Sequence, residues 1–477
     1  MMEYLLPKDF QLGATGAAWQ MEGEFDKDSE HNHFPHLMYN ANPERWHNGI
    51  GPTKASDFYN RYRTDIKLFN EVGIKQYRFN IDWSRFISNF ETGEVNEAAY
   101  KFYDDVVNRL IEEGIEPIIC LEHWELPEYY YNKYDGYASK KVVEMYVKYA
   151  EEVFKRFSGR VKKWFTFNEP IVIPQLCFMD GFWWPYITDT KKGMEWIHGK
   201  ILCNALAIKK FKELKIEGKI GIILNPSIVY ERTEKNAHDV KAKQIVDSIY
   251  WGAFMDTAVK GEYPKLLLDI LEKENCMFTY TEDEMKAIKE NTVDMLGVNY
   301  YQPMRVKAPE AQWNESTPFN FKKYYSDWDM PGKRMNPYRG WEIYPKALYD
   351  VAMRIKKDYG NIEWFVAESG MGVEGENVYK DGCGEIQDDY RIEFIKEHLA
   401  WLFKAVEEGA NCRGYWLFAS LDNCSPLNAF KNRYGLIEVN LDDDRNRKIK
   451  KSGKWYKEVS DSRKFTFKDI NKKLTDL

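Results

Sequence analysis

Two glutamates, Glu169 in "TFNEP" and Glu368 in "VAESG", stand at the ends of apolar and aromatic runs and are followed at once by turn-forming residues. Two carboxyl groups facing each other across a small polar ligand can cleave a glycosidic bond, one as protonated general acid and the other as nucleophile. By type and spacing alone the pair reads equally well as strand-end acids that are solvated or ion-paired with arginine. The architecture that places them has to decide.

Eight short β-branched or aromatic runs recur along the chain: 10–15, 75–81, 116–121, 162–168, 219–224, 294–300, 363–368 and 413–418. Between them lie apolar residues at helical spacing, such as Phe58, Tyr62, Ile66, Phe69 and Val72, or Val142, Tyr146, Tyr149, Val153 and Phe157. Strand then helix, eight times over, predicts an α/β chain folded as a (β/α)8 TIM barrel. No Pro-, Gly- or Ser-rich linker interrupts it, so residues 1–477 are expected to form one domain. Long irregular stretches follow strand 1 (20–52) and strand 6 (302–340), and long loops in a compact domain are usually functional.

Active sites of such barrels lie at the C-terminal ends of the strands. There the chain offers Gln20 after strand 1, Arg78 and Asn80 in strand 2, and His123 after strand 3. Asn168 and Glu169 end strand 4, Asn299 and Tyr301 come with strand 6, and Glu368 ends strand 7. Amide, imidazole, guanidinium, phenol and carboxylate on one rim suit a polyhydroxylated ligand. Glu122, adjacent to His123, should point to the opposite face and pair with a barrel helix.

Composition narrows the function further. With 477 residues, 44% hydrophobic content, net charge −7 and pI near 5.8, the chain lacks the basic surplus of a nucleic-acid binder. It has neither a signal-like start nor about 18 unbroken apolar residues, so no membrane association and a cytoplasmic location are expected. Seven scattered cysteines without C-x-x-C spacing read as reduced, mostly buried thiols. The cluster "HNHFPH" (His31, His33, His36) reads as a solvated loop rather than a metal site, and no metal or cofactor is expected.

Across nearly its whole length the sequence resembles glycoside hydrolase family 1, the retaining β-glycosidases. The resemblance rests on "FQLGATGAAWQMEG", "YRFNIDWSR", "LEHWELP", "TFNEP", "GVNYYQP" and "VAESG". It implies Glu169 as acid/base and Glu368 as nucleophile, with Arg78 and Tyr301 near Glu368 favouring its charged form. It also implies Gln20, His123, Asn168 and Asn299 as groups that bind sugar hydroxyls or order the site. A retaining mechanism would need the two carboxyls about 5–5.5 Å apart.

The loop "LDNCSPLNAFKNRYG" (421–435) follows strand 8, where such barrels commonly bind phosphate. Family members acting on unphosphorylated sugars usually carry a Glu-Trp pair where this chain has Ser425-Pro426. Ser425 and Tyr434 resemble the phosphate ligands of the 6-phospho-β-glycosidases. The family's lysine falls on Asn432, with Lys431 one residue earlier, so either Lys431 reaches round to the phosphate or that contact is lost. Phe418 replaces a tryptophan that packs under the sugar, and Ser369 replaces the usual asparagine. The segments "GMGVEGENVYKDG", "DDYRIEFIKEHL" and "KKSGKWY" also resemble bacterial phospho-glucosidases.

The resemblance thus implies a retaining 6-phospho-β-glucosidase with a small phosphorylated sugar as substrate. An ordinary β-glucosidase, a 6-phospho-β-galactosidase or a catalytically silent sugar-binding member of the fold are the alternatives. Trp313, Trp328 and Tyr338, in the loop after strand 6, are expected to contact the aglycone. The sequence leaves the oligomeric state open, a homo-oligomer included.

Overall fold

The computed structural model describes residues 1–24 and 31–470. All eight runs are strands of one closed parallel barrel: β1 (Gln11–Thr15), β2 (Gln76–Asn80), β3 (Glu116–Glu122), β4 (Lys163–Asn168), β5 (Lys219–Leu224), β6 (Met295–Asn299), β7 (Trp364–Glu368) and β8 (Cys412–Leu417). Each pairs with its neighbours in chain order and β8 closes on β1. The strands are buried on both faces, which is why they read as continuous apolar runs rather than alternating ones.

The lower half of the barrel is packed solid. Cys120, Phe165, Met295, Phe365 and Trp416 fill it, with the Trp416 ring stacked on Phe365 at 4.9 Å and its indole N–H donating to Gln76 Oε1 at 2.9 Å. The polar strand ends therefore form the floor of a bowl above a plug, not the wall of a pore.

The helical stripes face the barrel as their spacing predicts. Helix Lys140–Phe157 starts where the Ser139 side chain accepts from Lys141 N–H, and it buries Val142, Tyr146, Tyr149, Val153 and Phe157. From this helix the Tyr149 hydroxyl lies 2.8 Å from the carbonyls of both Ile81 and Leu121, tying it to the ends of β2 and β3. Among the described residues no helix is long and apolar enough to cross a membrane.

Both long loops are more structured than expected. After β1 the chain forms two helices, Ala18–Met21 and Phe34–Ala41; residues 25–30 of this stretch lie outside the described residues. The "HNHFPH" cluster is a helix start rather than a solvated loop. His33 is buried and its side chain accepts from His36 N–H, with Pro35 in the first turn. Glu24 pairs with both His33 (3.1 Å) and His36, an acidic partner from outside the motif that local spacing could not reveal. After β6, Met304–Lys307 forms a small sheet with Val229–Glu231 and Ser326–Asp327, anchored by buried Val306.

Trp416→Ala should destabilise the protein by ~3–5 kcal/mol through the cavity it opens. Chemical denaturation checks this, and the same loss should exceed that of Trp416→Phe.

Candidate active site

The C-terminal bowl holds a cavity of about 270 Å³. Gln20, His123, Glu169, Asn299, Tyr301, Glu368, Phe418, Ser425 and Tyr434 line it, whereas Arg78 and Asn168 stand just behind the floor. Eleven of the twelve residues singled out in the sequence therefore gather at one place. Lys431 is the exception.

Local structure explains each placement. Gln20 sits on the short helix Ala18–Met21, whose first two N–H groups donate to Asn80 Oδ1 (2.7 Å) and Glu125 Oε1 (3.2 Å). The other Glu125 oxygen accepts from His123 N–H at 2.8 Å, so one buried carboxylate fixes the loops after β1 and β3 together. Glu122 turns outward to Lys200 at 3.6 Å on helix Thr190–Glu213, as its place beside His123 predicts. Trp124 and Glu169 hold left-handed backbones, φ 78° and 47°, a conformation costing a non-glycine residue about 1–2 kcal/mol. Those turns swing both side chains into the bowl.

A continuous set of close polar contacts links the two glutamates. Asn299 Nδ2 donates to Glu169 Oε1 (2.9 Å) and to Asn168 Oδ1 (3.1 Å); the Asn168 amide lies 3.1 Å from His123 Nε2. Arg78 lies 3.2 Å from His123 Nδ1 and donates also to Glu368. Arginine only donates, so His123 Nδ1 accepts from Arg78. Burial, followed by the charges of Arg78 and Lys200, holds the His123 pKa well below the usual imidazole range. The Tyr301 hydroxyl donates to Glu368 Oε2 at 2.8 Å, so both Glu368 oxygens act as acceptors, as they do in an ionised carboxylate.

The glutamates differ where they should for acid and nucleophile. Burial, and next the negative charge of Glu368, push the Glu169 pKa up to about 8, against the smaller opposing effects of Asn299 and Arg78. A carboxyl that is still protonated near neutral pH, beside one gripped by a guanidinium and a phenol, can deliver a proton to one side of a bond while the other attacks its far side. Several buried polar atoms aimed at this space, Gln20 Oε1, Asn299 Oδ1 and Trp124 Nε1, have no hydrogen-bond partner among the described residues, as expected of groups that meet a polar ligand.

The far end of the bowl is an aromatic box. Phe418 stands edge-on to Tyr434 (5.2 Å) and Tyr301 (6.1 Å), and Trp341 packs on Tyr301 at 5.1 Å. Two glycines of the β7 turn allow this. A Cβ on Gly372 would come 2.3 Å from the Tyr434 ring, and one on Gly370 would meet the Phe418 carbonyl at 2.0 Å. Ser369 is buried beneath, its carbonyl accepting from Phe418 N–H at 3.0 Å, and does not reach the cavity. Below the loop after β8, a buried network joins Asp388, Arg391, Glu376, Lys450 and Asp422. Arg391 also donates to the Tyr434 carbonyl at 3.2 Å, fixing the loop from underneath.

Two expectations need correction. Lys431 does not reach round: residues 425–429 close a tight turn through reciprocal backbone bonds between Ser425 and Ala429, with left-handed Leu427 and Ala429. The turn leaves Ser425 in the bowl and sends Lys431 outward to Glu374 at 3.6 Å. In the loop after β6, Trp313, Trp328 and Tyr338 do not line the cavity; Tyr338 instead bonds Tyr379 through their hydroxyls at 2.8 Å. The residues from that loop that do are Gln302, Arg339 and Trp341, none of which the sequence pattern marked.

A barrel with paired glutamates on β4 and β7 defines a glycosidase class, and the sequence profile of Glycosyl hydrolase family 1 matches residues 2–465. The chain belongs to this family. Among its relatives, the 6-phospho-beta-glucosidase GmuD of Bacillus subtilis is 47% identical over 96% of this chain and 98% of its own length. Beta-glucosidase A of Acetivibrio thermocellus is 34% identical over 96% and 99%. The solved structure of a family 1 β-glucosidase from Thermotoga maritima superposes with a TM-score of 0.86 at 28% identity, covering 97% of this chain and 99% of that one.

Replacing Glu368 by Gln removes the charge that helps raise Glu169. Carbon-13 NMR titration of labelled glutamate should show the Glu169 pKa fall from about 8 toward the value that burial alone sustains.

Proposed function

We propose that this chain is a retaining 6-phospho-β-glucosidase of the cytoplasm, hydrolysing phosphorylated β-glucosides as one barrel domain. The observation that carries the reading is the pairing, in one bowl, of two differently poised glutamates with a far rim built from Ser425 and Tyr434 instead of a carboxylate. The high identity to the Bacillus subtilis relative supports it.

In this reading Glu368 attacks the anomeric carbon while Glu169 gives its proton to the departing glycosidic oxygen. The bond to the aglycone breaks as the bond to Glu368 forms. Water then adds to the anomeric carbon, Glu169 takes its proton, and Glu368 leaves, so the β configuration is restored. Gln20, His123 and Asn299 hold the sugar hydroxyls, Asn168 braces His123 and Asn299 from behind, and Phe418 lies against the ring. At the far end a serine hydroxyl can donate to a phosphate that a glutamate would repel.

Chromogenic β-glucosides with and without a 6-phosphate test the reading, with kcat/KM expected to be higher for the phosphorylated one. Preference for the plain sugar would mark a β-glucosidase, preference for the galacto isomer a 6-phospho-β-galactosidase, and no turnover of any a silent member. Ser425→Glu should lower kcat/KM for the phosphorylated substrate at least ~100-fold, because two like charges then share the rim. Glu368→Ala should lower it by ~10⁴-fold or more.

The pH profile carries a further test. Since Glu169 must be protonated in the first step, kcat/KM should fall as pH rises through about 8. Asn299 donates to Glu169 and lowers its pKa, so Asn299→Ala should move this alkaline limb upward.

A further inference from the structure

Resting on the reading of a phosphorylated substrate, we infer that Arg339, in the loop after β6, is the cation that grips the phosphate and sets selectivity for it, in place of a lysine from the loop after β8. Arg339 is the only Lys or Arg side chain among the described residues lining the cavity, and it shares that lining with Ser425 and Tyr434. Its guanidinium stacks over the Trp341 ring at 4.2 Å, and no carboxylate among the described residues lies within ion-pairing distance of it. A half-buried guanidinium resting over an indole, without a carboxylate partner and open to a polar cavity, presents the fork that matches phosphate oxygens. The same group acts on the Tyr434 hydroxyl, partly offsetting the upward push of burial on that phenol, which places it at the Ser425–Tyr434 end.

Lys431 has the opposite surroundings. It opens into a separate cavity of about 330 Å³ that it shares with Arg433 and five acids, Glu374, Glu376, Asp422, Glu438 and Asp442, and its own ammonium is met by Glu374.

The swap has a structural cause. Asn432, the position at which a lysine would be sought, is buried, and its amide donates to the Tyr338 carbonyl at 3.3 Å. The turn that follows is fixed by Asn336, which accepts from Tyr338 N–H (3.0 Å) and Gly340 N–H (2.9 Å) and donates to Gly372 O (2.9 Å) and Trp341 O (2.7 Å). Asn432 thus holds the backbone that delivers Arg339, and one loop's lost cation is the neighbouring loop's gained one.

The test compares kcat/KM for p-nitrophenyl β-glucoside 6-phosphate and p-nitrophenyl β-glucoside in the unmutated protein, R339A, R339K and K431A. R339A should lower the ratio of the two by ~10–100-fold, R339K should recover part of it, and K431A should change it less than about threefold. The Ki of glucose 6-phosphate should rise with R339A while that of glucose stays within about threefold, a readout independent of turnover. A ratio lost in K431A and kept in R339A, or an equal loss on both substrates in R339A, overturns the assignment. An unmutated protein without preference for the phosphorylated substrate sinks the functional reading itself, a result visible before any variant is made.

Discussion

Arg78 carries a full positive charge in the middle of the barrel with none of its surface exposed. Such a burial is tolerated only when the charge is met, since removing one partner of a buried pair costs ~3–5 kcal/mol. Glu368 meets it from β7, across the barrel, and His123 Nδ1 takes the second bond. Much of the chemistry of the site follows from these two contacts. The first keeps Glu368 an acceptor, the second orients the His123 ring, and through Asn168 and Asn299 the line of close polar contacts runs on to Glu169.

The contrast between the glutamates is therefore electrostatic rather than positional. Both end strands, both face the same cavity, and the residue paired with Glu368 in the sheet is Asn299, the very group that bonds Glu169. What separates them is that Glu368 holds the guanidinium while Glu169 holds only an amide, and lies within the field of the other's charge. Proton donor and attacking group in the proposed reaction are two readings of one asymmetrical arrangement.

The barrel was almost wholly legible in the sequence because buried parallel strands leave short, strongly apolar runs, and each of the eight lies within a residue or two of its expected bounds. Site residues on strand ends, such as Asn168 and Glu368, inherit that legibility. Residues in loops do not. The direction of Lys431 stays open in the sequence because it depends on left-handed Leu427 and Ala429, residue types that give no hint of such a turn. Arg339 went unmarked because a long side chain in an aperiodic loop reveals its target only when Asn336 and Asn432 have folded the turn. His33 and His36 looked solvated because their partner, Glu24, is outside the motif. The three C-terminal segments that resembled phospho-glucosidases contribute Glu376, Arg391 and Lys450 to the ion network under the β8 loop, a support role that spacing could not disclose.

The Asn336 turn carries Arg339 and Trp341 two residues apart, Trp341 packs on Tyr301, and Tyr301 donates to Glu368. Arg339, the proposed anion grip, and Glu368, the proposed attacking group, are thus three contacts apart. An enzyme can use attraction for a distant, unreacting part of its substrate to align the part that reacts. In the proposed reaction a sugar without its phosphate would enter the same bowl and leave this turn unloaded. Its handicap would then lie in the speed of bond breaking as well as in the strength of capture.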